Sequence, residues 1–368
     1  MDIDARVEAW AFLHLVSGLT SRALVTLIKT FGSAAGIRSA SRATLGKIVP
    51  GDLASAIQCG PDTELLDTTL RWVAESGHWL LAWDDDDFPP ALLAIHDAPP
   101  MFYYAGRREL LGRPALAVVG SRNATPQGLG NAEAFASALS ASGHTIVSGL
   151  ATGIDAAAHR GGLGGPGSSI AVIGTGPDRV YPASNRDLSG RLAKEGGILS
   201  EFALGTPPLP LNFPRRNRLI SGLSRGVLVV EATLQSGSLI TARLAVEQGR
   251  EVFAIPGSIH SPFSKGSHRL IREGAKLVET AQDVLEELDT SVTASPARVP
   301  APPPGDHGAP VAAEAAQVLD ALSYDPADID ALIERTGFPA ERVTVALVEL
   351  ELAGRVAALP GGAFQRRG

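Results

Sequence analysis

From residue 115 onward the chain alternates short apolar runs with helical stretches, and that alternation leaves few folds open. Residues 115–120 (Ala-Leu-Ala-Val-Val-Gly) read as a buried strand and 125–139 as a helix. The rhythm repeats as strand 145–148, helix 154–160, strand 169–173, helix 185–194 and strand 197–201, then a basic helix, strand 227–230, helix 238–249 and strand 251–255. Strands this apolar are covered on both faces, so the expected fold class is α/β: an extended Rossmann-like, doubly wound parallel sheet with helices on both sides. In such sheets ligands lie outside the carboxyl ends of the strands.

Small and polar residues gather at those ends. They are Gly120-Ser-Arg122, Ser148-Gly-Leu150, Gly174-Thr-Gly176, Glu231-Ala-Thr233 with Ser236-Gly-Ser238, and Pro256-Gly-Ser258. Glycine lets backbone approach a ligand closely, and N–H groups at helix starts suit anions. Five such loops on one edge, with Arg122 beside them, predict a phosphate-lined groove. The stretch Asn212-Phe-Pro-Arg-Arg-Asn-Arg-Leu-Ile-Ser-Gly-Leu-Ser-Arg225 adds four arginines and no acid. Pro214 suits a first helical turn, and Leu219, Ile220 and Leu223 form an apolar stripe, so the arginines start a short helix leaning on the sheet. Two readings of that cluster stand: a phosphate site, or arginines pairing with Glu201 or Glu231.

A nicotinamide cofactor does not fit. Gly162-Leu-Gly-Gly-Pro-Gly167 has the dinucleotide spacing but ends a helix instead of opening one, and at Gly174-Thr-Gly176 the third glycine is replaced by Arg179. Asp155 and His159 stand four apart on one helical face, which reads as a local hydrogen bond more readily than an acid/base couple, and no nucleophile elbow appears. The run Asp84 to Asp87 has no calcium-loop spacing and is expected to be a solvated loop. No catalytic residue, metal or cofactor is assigned.

The net charge of the 368-residue chain is −7, which argues against non-specific coating of nucleic acid. Residues 111–290, however, hold 17 basic and 15 acidic side chains, a balance of +2. A polyanion would be held by a local patch there. A single cysteine, Cys59, excludes an internal disulfide, and no leader-like or membrane-spanning run is evident, so a cytoplasmic location is expected.

The length predicts several domains. Residues 1–77 read as short helices, a helical hairpin or SAM-like unit in which 21–31 closes on Gly32-Ser33 and 39–48 forms another helix. Its basic residues are offset by acids, so a packing or partner role suits it better than DNA contact. Residues 78–290 form the Rossmann-like unit, 291–310 a Pro/Ala-rich linker, and 311–361 three helices and a Gly361-Gly362 wing, a winged-helix-like unit. On its third helix Glu341, Glu349 and Glu351 outnumber Arg342, which opposes DNA binding and favours protein contact.

Taken together, Val119-Gly-Ser-Arg122, Val147-Ser-Gly-Leu-Ala-Thr-Gly-Ile-Asp-Ala-Ala-Ala-His159, Val180-Tyr-Pro182 with Asn185, Phe213-Pro-Arg-Arg-Asn-Arg-Leu-Ile-Ser-Gly-Leu-Ser224, Val229-Val-Glu-Ala232, Ser236-Gly-Ser-Leu-Ile-Thr241, Glu247-Gln-Gly-Arg250 and Ile255-Pro-Gly-Ser258 resemble the DNA-processing protein A (DprA/Smf) family. The resemblance covers about half of the chain. It implies a non-enzymatic, dimeric, cytoplasmic protein that binds single-stranded DNA on its Rossmann-like domain and loads the RecA recombinase during natural transformation. It also implies a strand-binding set of Ser121, Arg122, Gly149, Asn185, Phe213, Arg215, Arg216, Asn217, Arg218, Ser236, Gly237 and Ser238. Phe213 is either a base-stacking ring or a core aromatic. Thr152 and Thr175 depart from the family's usual Arg and Cys. The rival from another class is a phosphoribohydrolase-like enzyme acting on nucleotide monophosphates, with Glu231 as its carboxylate, although it lacks the Pro-Gly-Gly-x-Gly-Thr run of such enzymes.

Overall fold

The computed structural model describes residues 4–289, 313–322, 326–359 and 361–366, and the expected linker at 291–310 lies outside the described residues. Six helices come first: α1 (Ala5–Leu15), α2 (Ser21–Phe31), α3 (Ala34–Ser39), α4 (Arg42–Leu45), α5 (Gly51–Cys59) and α6 (Thr63–Val73). Five of them begin on a side chain that accepts a first-turn N–H, from Asp4, Thr20, Ser33, Ser41 or Asp62. α2 ends on Gly32 at φ 78°, a left-handed cap that suits glycine. The single helix expected at 39–48 is broken, because Ala40 is extended and Ser41 caps a new turn.

Trp10, Leu13, Leu27, Ile37 and Leu45 are fully buried among these helices, and the same apolar cluster runs on through Tyr103, Ile173 and Ile198 of the following sheet. Polar contacts reinforce the seam. Trp10 donates Nε1–H to Asp84 at 2.9 Å and stands edge-on to Trp83, while Arg6 reaches Asp84 at 3.1 Å and Asp85 at 2.7 Å. Arg108 meets Asp87 at 2.8 Å. The acidic turn is solvated at Asp84, Asp86 and Asp87 as expected, and it also serves as a clasp for arginines.

The chain continues as β1 (His78–Ala82), α7 (Pro90–Leu93), β2 (Met101–Gly106), β3 (Ala115–Val119), α8 (Pro126–Ala141), β4 (Thr145–Ser148), α9 (Ile154–Leu163), β5 (Ser169–Ile173), α10 (Arg186–Glu195), β6 (Gly197–Ser200) and α11 (Asn212–Leu223). Then follow β7 (Gly226–Val229), α12 (Ser238–Glu247), β8 (Glu251–Ala254), α13 (Lys265–Arg272), β9 (Lys276–Leu277) and α14 (Ala281–Asp289). Among the described residues nine strands make one sheet, in the order β1-β2-β6-β5-β4-β3-β7-β8-β9. β3 through β9 pair in parallel as the rhythm predicts, with Val118 opposite Leu228 and Val147 opposite Ile170. β1 and β2 add an antiparallel edge, Tyr103 facing Ser200 of β6.

Alternation along β3 splits the core in two. Leu116 and Val118 face α8, α9 and α14, whereas Ala117 and Val119 face the layer of α7, α11 and α12. The chain starts in the middle at β3, winds outward to β6, and crosses back through α11 to β7 on the other side of β3. The loops after β3 and β7 thus flank the switch point, where open α/β sheets hold their ligands.

The remaining elements are α15 (Ala313–Leu322), β10 (Ala327–Asp328), α16 (Ile329–Thr336), α17 (Ala340–Leu352), β11 (Val356–Ala358) and β12 (Ala363–Arg366). Three helices and a sheet ordered β10-β12-β11 enclose Leu319, Leu332, Val343, Leu347 and Val356, the expected winged helix. No helix among the described residues is long and apolar enough to cross a membrane.

Candidate nucleic-acid interface

The strand order sets the five Gly/Ser loops side by side, after β5, β4, β3, β7 and β8 in turn. At the centre, Ser121 N donates to Glu231 O at 2.8 Å, tying the loops after β3 and β7 together. Ser121 Oγ accepts from Asn123 N, and Thr152 Oγ1 donates to Arg122 O at 3.3 Å. The Arg122 side chain projects outward. Its Cζ lies 5.8 Å from the centroid of Phe213, and it has no carboxylate partner among the described residues.

Beneath this surface lies a brace around residues 149–151. Arg216 Nη1 donates to Gly149 O at 2.6 Å and also to Val172 O. Gly149 N and Ala151 N donate to Asp155 Oδ2 at 3.1 and 3.3 Å. Leu150 N donates to His159 Nε2 at 3.2 Å, and Asn185 Nδ2 donates to Leu150 O at 2.9 Å. Leu150 is held at φ 58°, a left-handed conformation that a leucine adopts only when its surroundings enforce it. Gly149 is required by the close approach: a Cβ there would collide with the Arg216 guanidinium.

The electrostatics follow from burial. Arg216 is 4% exposed, and desolvation pulls its pKa down to about 10 against the opposing charge of Asp155. Burial likewise raises the pKa of Asp155, against Arg216 and the loop amides. His159 is pushed down to about 3, first by burial. It is neutral, with Nε2 accepting from Leu150 N, so Nδ1–H donates to Ser169 Oγ at 2.7 Å. Asp155 and His159 are thus not bonded to each other as their spacing suggests, and each serves the loop backbone.

Four residues of the expected strand-binding set are therefore engaged inside the protein, three of them buried and Asn185 half-buried. Arg216, Asn185 and Gly149 belong to the brace. Arg218, 7% exposed, is bound to Glu201 and to Asp97 at 2.8 Å, because α11 turns it inward against the sheet edge. The alternative pairing with Glu201 holds for Arg218, and Arg215, half exposed, reaches the same carboxylate at 3.4 Å while covering Phe202. Asn217 stays half-buried and accepts from Arg216 Nε. Ser236 and Ser238 share a hydroxyl–hydroxyl hydrogen bond of 2.7 Å across exposed Gly237, at the start of α12.

One exposed group at this edge is missing from the expected set. Tyr181 packs against Phe213 with ring centroids 5.5 Å apart. It stands inside the Val180-Tyr-Pro182 motif, so the signal was available. Glu231, which an enzymatic reading needs free, accepts from Thr125 N at 2.9 Å and Thr125 Oγ1 at 2.6 Å, and burial raises its pKa. It caps α8 from across the sheet.

Comparison with known proteins gives this edge a context. The sequence profile of the DNA recombination-mediator protein A family matches residues 79–289, and that of the DprA winged helix domain matches 299–362. Protein Smf of Escherichia coli is 44% identical over 307 residues, 82% of this chain and 81% of that protein. DNA processing protein DprA of Streptococcus pneumoniae is 50% identical over 205 residues, 56% of this chain and 72% of that protein. The X-ray structure of DNA processing protein A from Streptococcus pneumoniae superposes with a TM-score of 0.69 at 39% identity, covering 78% of this chain and 99% of the other. That of DNA processing protein A from Helicobacter pylori, described for its unique single-stranded DNA binding mode, gives 0.53 at 30% identity, covering 58% and 96%. With more than half its length matched by the family profile and a relative this similar across four-fifths of both chains, the chain belongs to the DNA recombination-mediator protein A family, the DprA/Smf proteins.

Proposed function

We propose that the chain binds single-stranded DNA along the carboxyl edge of its sheet, protects incoming DNA and loads the RecA recombinase onto it during natural transformation and recombination. One observation carries the reading: Arg122, a cation without a carboxylate partner among the described residues, stands beside the half-buried ring of Phe213, against which exposed Tyr181 packs. A cation for phosphate next to a ring for a base is the recurrent chemistry of single-strand sites, and it tolerates any sequence. The single-strand binding attributed to the Helicobacter pylori relative supports it.

In this reading Arg122, Asn217, Phe213 and the amides of Ser121, Ser236, Gly237 and Ser238 meet the strand. Arg215 contributes at the outer end, and Gly149, Asn185, Arg216 and Arg218 shape the floor. The unit 78–290 carries the DNA, and the units at 1–77 and 311–361 are partner or packing modules. No chemical step is involved, and the protein works in the cytoplasm. It forms homodimers through the Rossmann-like unit. The β9 edge, unpaired on its outer side among the described residues, supports this, since Leu277 is 45% exposed and Leu234 and Val246 open onto a groove of about 620 Å³ between α12 and α13.

The test is a titration of labelled single strand and duplex of equal length with the full chain at two salt concentrations. Preference for the single strand, with affinity falling steeply as salt rises, is the expected result. Equal affinity for duplex overturns the reading. Base release from a nucleotide monophosphate, lost in Glu231→Gln, establishes the enzymatic rival instead.

A further inference from the structure

A helix on the surface of a small unit needs one apolar stripe, the one that faces the core. α17 carries two. Val343, Ala346, Leu347 and Leu350 are buried inside the winged-helix unit. On the other side Val345 keeps 64% of its surface in water, Val348 51% and Leu352 85%. The opposite part of the unit is already engaged: Gln365 of β12 is 4% exposed, and its Nε2 donates to Gln127 Oε1 of α8 at 3.2 Å. The wing is thus seated on the central unit, and the second stripe of α17 stays open with the wing in place.

The spacing of that stripe tells what shape covers it. Val345, Val348 and Leu352 are separated by three and then four residues, the interval of a seam between two packed helices. The positions that flank such a seam, just after its second residue and just before its third, are Glu349 and Glu351, and Glu341 lies one turn earlier on the same line. Arg342 is already bound to Glu314. Residues 311–368 hold 9 acidic and 5 basic side chains, a balance of −4. Flanking charges of one sign select a partner of the other sign. A second copy of α17 would set acid against acid, and DNA would meet the same repulsion.

We infer that α17 is the docking face for a basic amphipathic helix of another protein. Its apolar residues, spaced alternately by three and four, cover Val345, Val348 and Leu352, and its lysines or arginines lie along Glu349 and Glu351. The inference rests on the reading of 311–361 as a partner module and deepens it by naming the kind of partner. Three apolar side chains make a short seam, so the contact is of the transient class.

The experiment measures fluorescence anisotropy of three labelled 18-residue peptides with the full chain. The first has leucines at alternating three- and four-residue spacing with flanking lysines, the second replaces the lysines by glutamates, and the third has the first one's composition in an order without that spacing. The first should bind at least about tenfold more tightly than either of the others. The paired substitution Val348→Ser and Leu352→Ser should weaken it about tenfold without moving the melting temperature, since both side chains face water. Glu351→Lys should weaken the lysine peptide and strengthen the glutamate peptide, each about threefold. Equal affinity for the ordered and reordered lysine peptides, or full affinity in the serine variant, overturns the inference. A smaller assembly of the serine variant in sedimentation also overturns it, because α17 then pairs with a second copy. Single-strand DNA binding of the serine variant separates the two levels: if it is unchanged, any of these failures falls on the inference alone, and if it is lost, α17 contacts DNA and the partner-module reading falls as well.

Discussion

The carboxyl edge of the central sheet and the third helix of the winged-helix unit are both places where their folds commonly present positive charge to nucleic acid. Only the first does so here. At the sheet edge Arg122 is exposed and has no carboxylate partner among the described residues. On α17 the exposed groups include Glu341, Val345, Val348, Glu351 and Leu352, while Arg342 is tied to Glu314 and lies 4.5 Å from the Phe338 ring. A fold indicates where a site would be, and charge and exposure decide whether it is there. The edge also holds a vertical contrast, with Arg122 above the loops and Arg216 below them.

That contrast breaks most severely if Arg216→Ala is tolerated. The substitution leaves the carbonyls of Gly149 and Val172 without this donor and Asp155 without its opposing charge, so urea denaturation should show a loss of about 3–5 kcal/mol. A second test concerns pH. His14 and His159 are held neutral by burial, at about 4 and about 3, below the ordinary value of 6.5. The unfolded chain takes up protons below pH 6.5 and the folded one does not. Their stabilisation is therefore complete above that pH and is lost as pH falls toward the folded values, by about 2 kcal/mol per histidine at pH 5. His14→Leu should flatten the stability profile between pH 7.5 and 5 by that amount. Third, Arg122→Ala should weaken single-strand binding about tenfold, near 1.4 kcal/mol, and reduce the salt slope by about 1 without moving the melting temperature. The smallest effect belongs to the winged helix: ending the chain after residue 289 should change single-strand affinity by less than about twofold, whereas a larger loss would show that α17 contacts DNA despite its acids.

The sheet was legible because buried parallel strands are written as unbroken apolar runs. β4 and β5 begin and end where the sequence puts them, and β3, β6, β7 and β8 agree within one residue. The antiparallel edge was not, because β1 and β2 are joined by a 4-residue helix and a long connection that carries no alternating signal. Partners far apart in sequence were also invisible: Arg6 and Asp84 are 78 positions apart, and nothing local marks them as a pair. Arg216 is different. It stands four before Ile220 and seven before Leu223, on the apolar stripe itself, so helical periodicity already places it against the sheet. Counting arginines concealed what their spacing discloses.

The seam between the helical unit and β1 has an optical consequence. Three of the four tryptophans, Trp10, Trp72 and Trp83, belong to it, while exposed Trp79 stands on the other face of β1 under Arg108. Trp10 is fully buried with its indole N–H on Asp84, and Trp72 stacks on His78 at 4.0 Å. With Trp79 replaced by phenylalanine, intrinsic tryptophan emission is therefore a gauge of this one joint. A strand settling on Arg122 leaves the emission unchanged if the joint is rigid, and any shift on DNA addition reports that the helical unit has moved against the sheet.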